Sequence, residues 1–293
     1  MTRLPFEYSP LPERAPVHWP GGARVAVYMM VAVEHFEPGK PALSMHPGTA
    51  AYPVDPLNYG WRDYGPRAGI WRMMDLFDRH EVPVSAALNS DVCEHHPQII
   101  EAGNARDWVW VAHGKNNNTM QGPMTEDEEG PYLEAVVRTI ADATGRPPRG
   151  WMGPSLTETV NTPRLAGELG ISYVVDWGND DQCYPLTSEK PMVSIPYPSE
   201  LHDIPMLLMR NMPGDEFAAS LIEHFTVLAD EAEAKDTGYV FGIGVHPFLV
   251  GQPWRIRYLE KVVESLRHHE AAWWLTTDEL ADWWLANAAD RQG

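Results

Sequence analysis

The sequence predicts an α/β fold, in which about seven largely parallel strands form a closed or nearly closed barrel. Three observations lead to this prediction: short apolar runs recur along the chain, amphipathic segments separate them, and no low-complexity linker divides the 293 residues. The apolar runs interpreted as strands are 25–33, 83–88, 108–112, 171–175, 206–209, 239–245 and 273–275.

Residues 1–23 precede the first predicted strand and are expected to form an extended arm on the surface. They contain five prolines and no apolar run, so we predict neither a signal peptide nor a membrane anchor there. Residues 24–293 are then expected to form one barrel domain.

The segments between the strands have apolar residues at helical spacing. The pattern i, i+3, i+4, i+7 predicts a helix over 67–80, with its apolar positions at Ile70, Met73, Met74 and Phe77. Similar spacing predicts helices around 133–140 and over 256–266. A capping box of Thr276 and Glu279 opens a final helix.

The stretch 38–66 is rich in proline and glycine and lacks periodicity. It is therefore predicted to be an extended loop, and loops of this length are usually functional.

Charge and cysteine content limit the classes of partner. A net charge of −19 repels phosphate backbones and anionic lipids, which argues against nucleic acid and membrane partners. With only Cys93 and Cys183, the chain has no disulfide framework. We expect a cytoplasmic protein that binds a small diffusible molecule.

Ionisable side chains follow four of the predicted strands. Glu34 and His35 come after the first, and His113, Asp176 and His246 after three later ones. The carboxyl ends of parallel strands meet at one face of a barrel, so residues far apart in sequence are expected to form one site there.

The ordered set of motifs resembles the polysaccharide deacetylase-like superfamily, and within it the small-ring branch of cofactor-independent allantoinases and cyclic imide hydrolases. The matching segments are 24–39, 63–72, His113-Gly114, 146–151 and His246 with 251–255. The resemblance implies a deformed (β/α) barrel of about seven strands, frequently assembled as a homotetramer.

The metal motif of that superfamily is altered in this sequence. Sugar deacetylases have two consecutive Asp residues followed by two His residues four apart, whereas this chain has Glu34-His35 and, at the second His position, Asn117. Two possibilities remain open. His35 and His113 bind Zn²⁺ with Asn117 or Glu34 as an oxygen ligand, or no metal binds.

The resemblance implies a catalytic domain that opens a cyclic imide, such as succinimide or maleimide, at its C–N bond to give a half-amide acid. Glu34 is then expected to be the base and His246 the proton donor. Aromatic side chains expected against the flat ring are Trp151, Trp177 and Tyr52. Alternatives are an allantoinase-like ureide hydrolase, a polysaccharide N-deacetylase, and a non-catalytic ligand-binding member of the fold.

Overall fold

The computed structural model describes residues 4–287 and confirms the predicted α/β barrel fold. Residues 1–3 and 288–293, the ends of the predicted arm and barrel domain, lie outside the described residues. The strands of the described chain are β1 (Val25–Val33), β2 (Val84–Leu88), β3 (Val109–Ala112), β4 (Gly150–Trp151), β5 (Tyr173–Val174), β6 (Tyr184–Pro185), β7 (Val193–Ser194), β8 (Tyr239–Val245) and β9 (Ala272–Trp274).

The strands form one curled sheet in the order β6-β7-β5-β4-β3-β2-β1-β8, with β9 paired to the start of β1. Pairing is parallel except between β6 and β7. Residues 25–31 of β1 pair with 239–245 of β8, and residues 29–33 pair with 84–88 of β2. The ends of β8, β1, β2 and β3 therefore lie side by side.

Alternate residues of β1 enter two separate cores, because successive side chains of a strand point to opposite faces. Val27 and Met29 pack in the core that contains the helices, whereas Tyr28 and Met30 pack in the interior of the barrel. All nine residues of β1 are buried, which explains why this strand has a continuous apolar sequence.

The helices alternate with strands along much of the chain, as the sequence predicts, and the last helix follows the last strand. They are α1 (Pro56–Tyr64), α2 (Ile70–Arg79), α3 (Ser90–His95), α4 (Pro97–Asn104), α5 (Glu126–Thr144), α6 (Thr162–Glu168), α7 (Gly214–Lys235), α8 (Ile256–Leu266) and α9 (Thr277–Ala286). The apolar positions of the helix predicted over 67–80 are buried, and the capping box of Thr276 and Glu279 is present. Across residues 4–287, no helix combines the length and apolar character needed to cross a bilayer.

Two sequence predictions are wrong. The run 206–209 is part of a π-helical turn, Ile204–Met209, and not a strand, since a short apolar run has no periodicity that separates the two. The loop predicted over 38–66 contains α1. Its start has a recognisable signal: Asp55 accepts a hydrogen bond of 3.3 Å from the backbone N–H of Asn58, and Pro56 occupies the first turn.

Part of the N-terminal segment packs near the start of β8 and against α9. The ring of Trp19 is 4.5 Å from that of Trp283 on α9, and the Trp284 side chain is buried in the same core. Arg14 donates to Asp180 at 2.6 Å. These contacts tie the segment to α9 and to the loop after β5.

Candidate active site

The ends of three strands bring Glu34, His113 and His246 together. Glu34 follows β1, His113 follows β3 and His246 follows β8. Glu34 Oε1 lies 3.6 Å from His113 Nε2 and 3.6 Å from His246 Nε2. All three residues are buried, so a carboxylate and two imidazoles share a space with little bulk water.

His246 is held by Asp203, a residue that the sequence analysis did not identify. The backbone N–H of His246 donates to Asp203 Oδ2 at 2.7 Å, and Nδ1 lies 2.7 Å from Oδ1. A carboxylate accepts this proton, so Nδ1 carries it and Nε2 faces Glu34. Asp203 directly precedes the turn 204–209, and the sequence predicts a strand over 206–209 there, so the pattern gives no signal for a residue that positions a histidine.

The charges around His246 favour its imidazolium form. Burial alone would lower the pKa of His246, but the charges of Asp203 and Glu34 raise it to about 10. Burial alone would raise the pKa of Glu34, yet the charge of His246 and the proximity of His113 lower it well below its usual range. The site therefore holds an ionised Glu34 beside a protonated His246 at neutral pH.

His113 has one ring nitrogen fixed and the other available. Its Nδ1 lies 2.6 Å from the backbone carbonyl oxygen of Met152. A carbonyl only accepts, so Nδ1 donates and Nε2 is the nitrogen that faces Glu34. His113 thus presents Nε2 to the site, with its ring orientation fixed by the bond to Met152.

These groups lie in a cavity of about 250 Å³. Its lining residues come from several segments, which include the loop around Leu43, between β1 and α1, and the turn 204–209. Its polar lining residues are Glu34, His113, Asn117, Ser155, His202 and His246. Small-molecule sites usually have about 300–1,000 Å³, so this cavity is of a size for a small ligand.

Not all the predicted ligand-binding residues line this cavity. Trp151 is fully buried in the helix-side core. Trp177 packs on Phe6 and donates to Glu158 at 3.1 Å. Tyr52 is 59% exposed in the loop before α1. The aromatic residues that do line the cavity include Phe36 and Tyr197.

The three predicted metal ligands are not brought together. His35 stacks on His95, with 4.2 Å between ring centroids, and is not among the cavity-lining residues. Asn117 donates through its amide nitrogen to Glu34, while its oxygen accepts from Asn89 at 3.2 Å. Of these three, only His113 presents a ligand atom to the cavity. The alternative oxygen ligand Glu34 lies 3.6 Å from its Nε2, so the predicted set lacks the third protein ligand of an open zinc site.

Two further groups of possible ligands occur within residues 4–287. In each, the candidate ligand atoms lie within 4.8 Å of one another; the groups are His202, Asp203, His246 and His80, Glu260, Glu264. In the first, Nδ1 of His246 donates its proton to Asp203 at 2.7 Å, so this nitrogen has no lone pair to offer to an ion. In the second, Arg79 already supplies a cation to Glu260.

A pair of acids, the buried Asp176 and the partly buried Glu158, lies behind one wall of the cavity. Asp176 accepts from the backbone N–H of Gly153 at 2.7 Å, next to the lining residues Ser155 and Leu156. Burial and the charge of Glu158 raise the pKa of Asp176 well above its usual range, and burial also raises the pKa of Glu158. Two neighbouring acids that are shielded from water retain a proton more readily than one acid in water.

Replacing Glu158 by glutamine should reduce the loss of stability at high pH. Because the pKa values of both acids are raised in the folded state, the free energy of unfolding falls as the pH rises above the ordinary carboxylate range near about 4. The amide introduced by this substitution can donate to Asp176 and still accept from Trp177. Urea unfolding measured between about pH 5 and 9 should give a shallower decrease for Glu158→Gln than for the wild type.

The matched control is Glu134→Gln, at an exposed position on α5. It should retain the wild-type pH dependence. Parallel curves for Glu158→Gln and the wild type would contradict the assignment of an acid pair.

The comparisons with known proteins agree with this architecture. The polysaccharide deacetylase family model matches residues 62–174. A putative polysaccharide deacetylase of Schizosaccharomyces pombe is 26% identical over 304 residues, 92% of each chain. A probable polysaccharide deacetylase from Pseudomonas aeruginosa has a structure with a TM-score of 0.82 and 27% identity, covering 92% of this chain and 94% of that one.

A second solved structure is an allantoinase. The PuuE allantoinase has a TM-score of 0.80 and 28% identity, covering 93% of this chain and 94% of that one. These relatives are hydrolases, and two of the similar structures share the whole fold with this chain. The family match over residues 62–174 and the fold shared with these two structures support the assignment of the chain to the polysaccharide deacetylase-like superfamily.

Proposed function

We propose that the protein hydrolyses a small cyclic amide at its C–N bond, with imides of the succinimide or maleimide type as substrates. The observation that carries the proposal is the buried, oppositely charged pair of Glu34 and His246 at one point of a small cavity. Ring opening needs both a proton acceptor and a proton donor, and this pair supplies them.

In the proposed reaction, water adds across the bond between a carbonyl carbon and the ring nitrogen. Glu34 accepts a proton from the attacking water, which Nε2 of His113 helps to position. The water oxygen bonds to the carbonyl carbon, the C–N bond breaks, and His246 delivers its Nε2 proton to the departing nitrogen. The product is an open-chain acid that carries an amide.

The protonated state of His246 suits proton donation to the nitrogen and also the stabilisation of negative charge on the carbonyl oxygen. A carbonyl oxygen gains negative charge in the transition state, and an imidazolium in a buried site stabilises that charge more than it would in water. Glu34 keeps His246 protonated before the substrate binds. A substrate bound between Glu34 and His246 increases the distance between the two groups. The positive charge of His246 then lowers the pKa of Glu34 less, and Glu34 becomes a stronger base.

The size of the site favours a small ring over a polymer. Glu34, His113 and His246 are each at most 9% exposed, and the loop around Leu43 and the turn 204–209 help to line the cavity that holds them. A polysaccharide chain needs an open groove around the reacting sugar. The similarity to the PuuE allantoinase supports a ring-opening reaction and makes a ureide the second candidate.

The proposed reaction proceeds without a metal. His35 and Asn117 are turned to other partners, so the donor set for zinc is not assembled. We derive no step through a metal ion for this reason.

Purified protein should hydrolyse succinimide at a rate that a chelator leaves unchanged. The measurement is the loss of imide absorbance with and without EDTA, beside assays of allantoin and of acetate release from N-acetylglucosamine oligomers. Loss of activity on chelation would contradict the metal-independent reaction. Acetate release without imide turnover would support a polysaccharide deacetylase, and no turnover of any substrate would support a non-catalytic binding protein.

A further inference from the structure

The cavity combines a compact polar end with a large apolar lining. The charged and hydrogen-bonded groups that meet at Glu34 are His113, Asn117 and His246. The remaining surface is mostly hydrophobic, and six of its residues are Leu43, Met120, Met152, Leu156, Ile204 and Met209. An apolar cavity with a few polar groups at one place binds a ligand that has the same asymmetry.

The apolar surface extends towards the mouth of the cavity. Met209 is 69% exposed, whereas Glu34 and His246 are buried. A ligand whose amide group reaches Glu34 therefore extends past apolar side chains before it meets solvent.

We propose that the preferred substrate is a cyclic imide that carries an apolar substituent on a ring carbon, with the substituent bound against this apolar lining. The inference rests on the proposed function and narrows its substrate class. An unsubstituted succinimide has only two CH₂ groups to offer to the lining. Allantoin carries a polar ureido group, whose hydrogen bonds to water the apolar side chains do not replace.

The chemistry of the lining suits several substituent shapes. Three of the apolar lining residues are methionines, which are unbranched and adapt to irregular ligands. Phe36 adds an aromatic face to the cavity. Both alkyl and aryl substituents are therefore expected to bind.

The test compares succinimide with 2-methyl-, 2-propyl- and 2-phenylsuccinimide on the wild-type enzyme. Each methylene group that becomes buried should raise kcat/KM about fourfold, since its transfer from water is worth about 0.8 kcal/mol. Equal kcat/KM values for succinimide and its substituted forms would overturn the inference and leave the proposed function standing. No turnover of any imide would instead overturn the proposed function.

A variant at the mouth tests where the substituent binds. Met209→Ser replaces an exposed side chain, so the fold should be retained. It should lower the ratio of kcat/KM for 2-phenylsuccinimide to that for succinimide by at least threefold, whereas Met209→Leu should keep the ratio. Val227→Ser, at a 45% exposed position on α7, is the matched control and should leave the ratio unchanged. An unaltered ratio in Met209→Ser would contradict binding against this lining.

Discussion

Glu34→Gln should lower kcat/KM for imide hydrolysis by a factor of about 100 to 1,000. Glutamine has nearly the same shape and keeps the hydrogen bond to Asn117 through its oxygen, but it cannot take a proton from water. It also removes one of the two negative charges that keep His246 protonated. The measurement is steady-state hydrolysis of succinimide by matched preparations of wild type and variant.

Glu37→Gln is the control for this change. Glu37 lies three residues further along and accepts a hydrogen bond from Asn116 at 3.0 Å, but it does not line the cavity. It should retain wild-type kcat/KM. A Glu34→Gln enzyme with more than about a tenth of the wild-type activity would show that Glu34 is not the base, and the next candidate to test as the base would be His113.

The positions of Glu34 and His246 could be predicted because the strands before them are continuous apolar runs. All residues of β1 and β8 are buried, so both strands have continuous apolar runs whose ends are visible in the sequence. Glu34 and His246 follow directly. Because the strands are parallel, the two residues were expected to be neighbours, and Glu34 Oε1 lies 3.6 Å from His246 Nε2.

The alternation of side chains along an extended segment explains why His35 does not face the cavity, as a metal ligand there would have to. Ala32, Glu34 and Phe36 line the cavity, and His35 between them does not. Neighbouring residues in an extended segment point to opposite sides. Glu34 and His35 could therefore not both be expected to face one ligand, and this rule was available from the sequence.

The direction of Trp151 could not be read in the same way. It lies on β4, which has only two residues, and its side chain points into the helix-side core. Two residues give no alternating pattern from which the inner face can be identified. The same limit applies to Asp203, since nothing in its local sequence pairs it with a histidine 43 residues later.

Asp203→Asn should reduce kcat/KM about a hundredfold at pH 8 and move the alkaline limb of the pH profile to lower pH. In the wild type, the pKa of His246 is raised to about 10, so the imidazolium donor persists through neutral pH and is lost only as the pH approaches that value. Asparagine removes the charge that contributes most to this raised pKa. The pKa of His246 should then move towards its ordinary value of about 6.5, and less of the donor remains protonated at pH 8.

The pH profile separates this role of Asp203 from a purely structural one. Asp203 is fully buried and also accepts from the backbone of His246, so its replacement could lower activity simply by destabilising the fold. Destabilisation alone would reduce kcat/KM without moving the alkaline limb, whereas loss of the charge moves the limb. Asp215→Asn, in the exposed first turn of α7, should change neither quantity. An Asp203→Asn enzyme with the wild-type limb would contradict the proposal that Asp203 keeps His246 protonated for proton donation to the ring nitrogen.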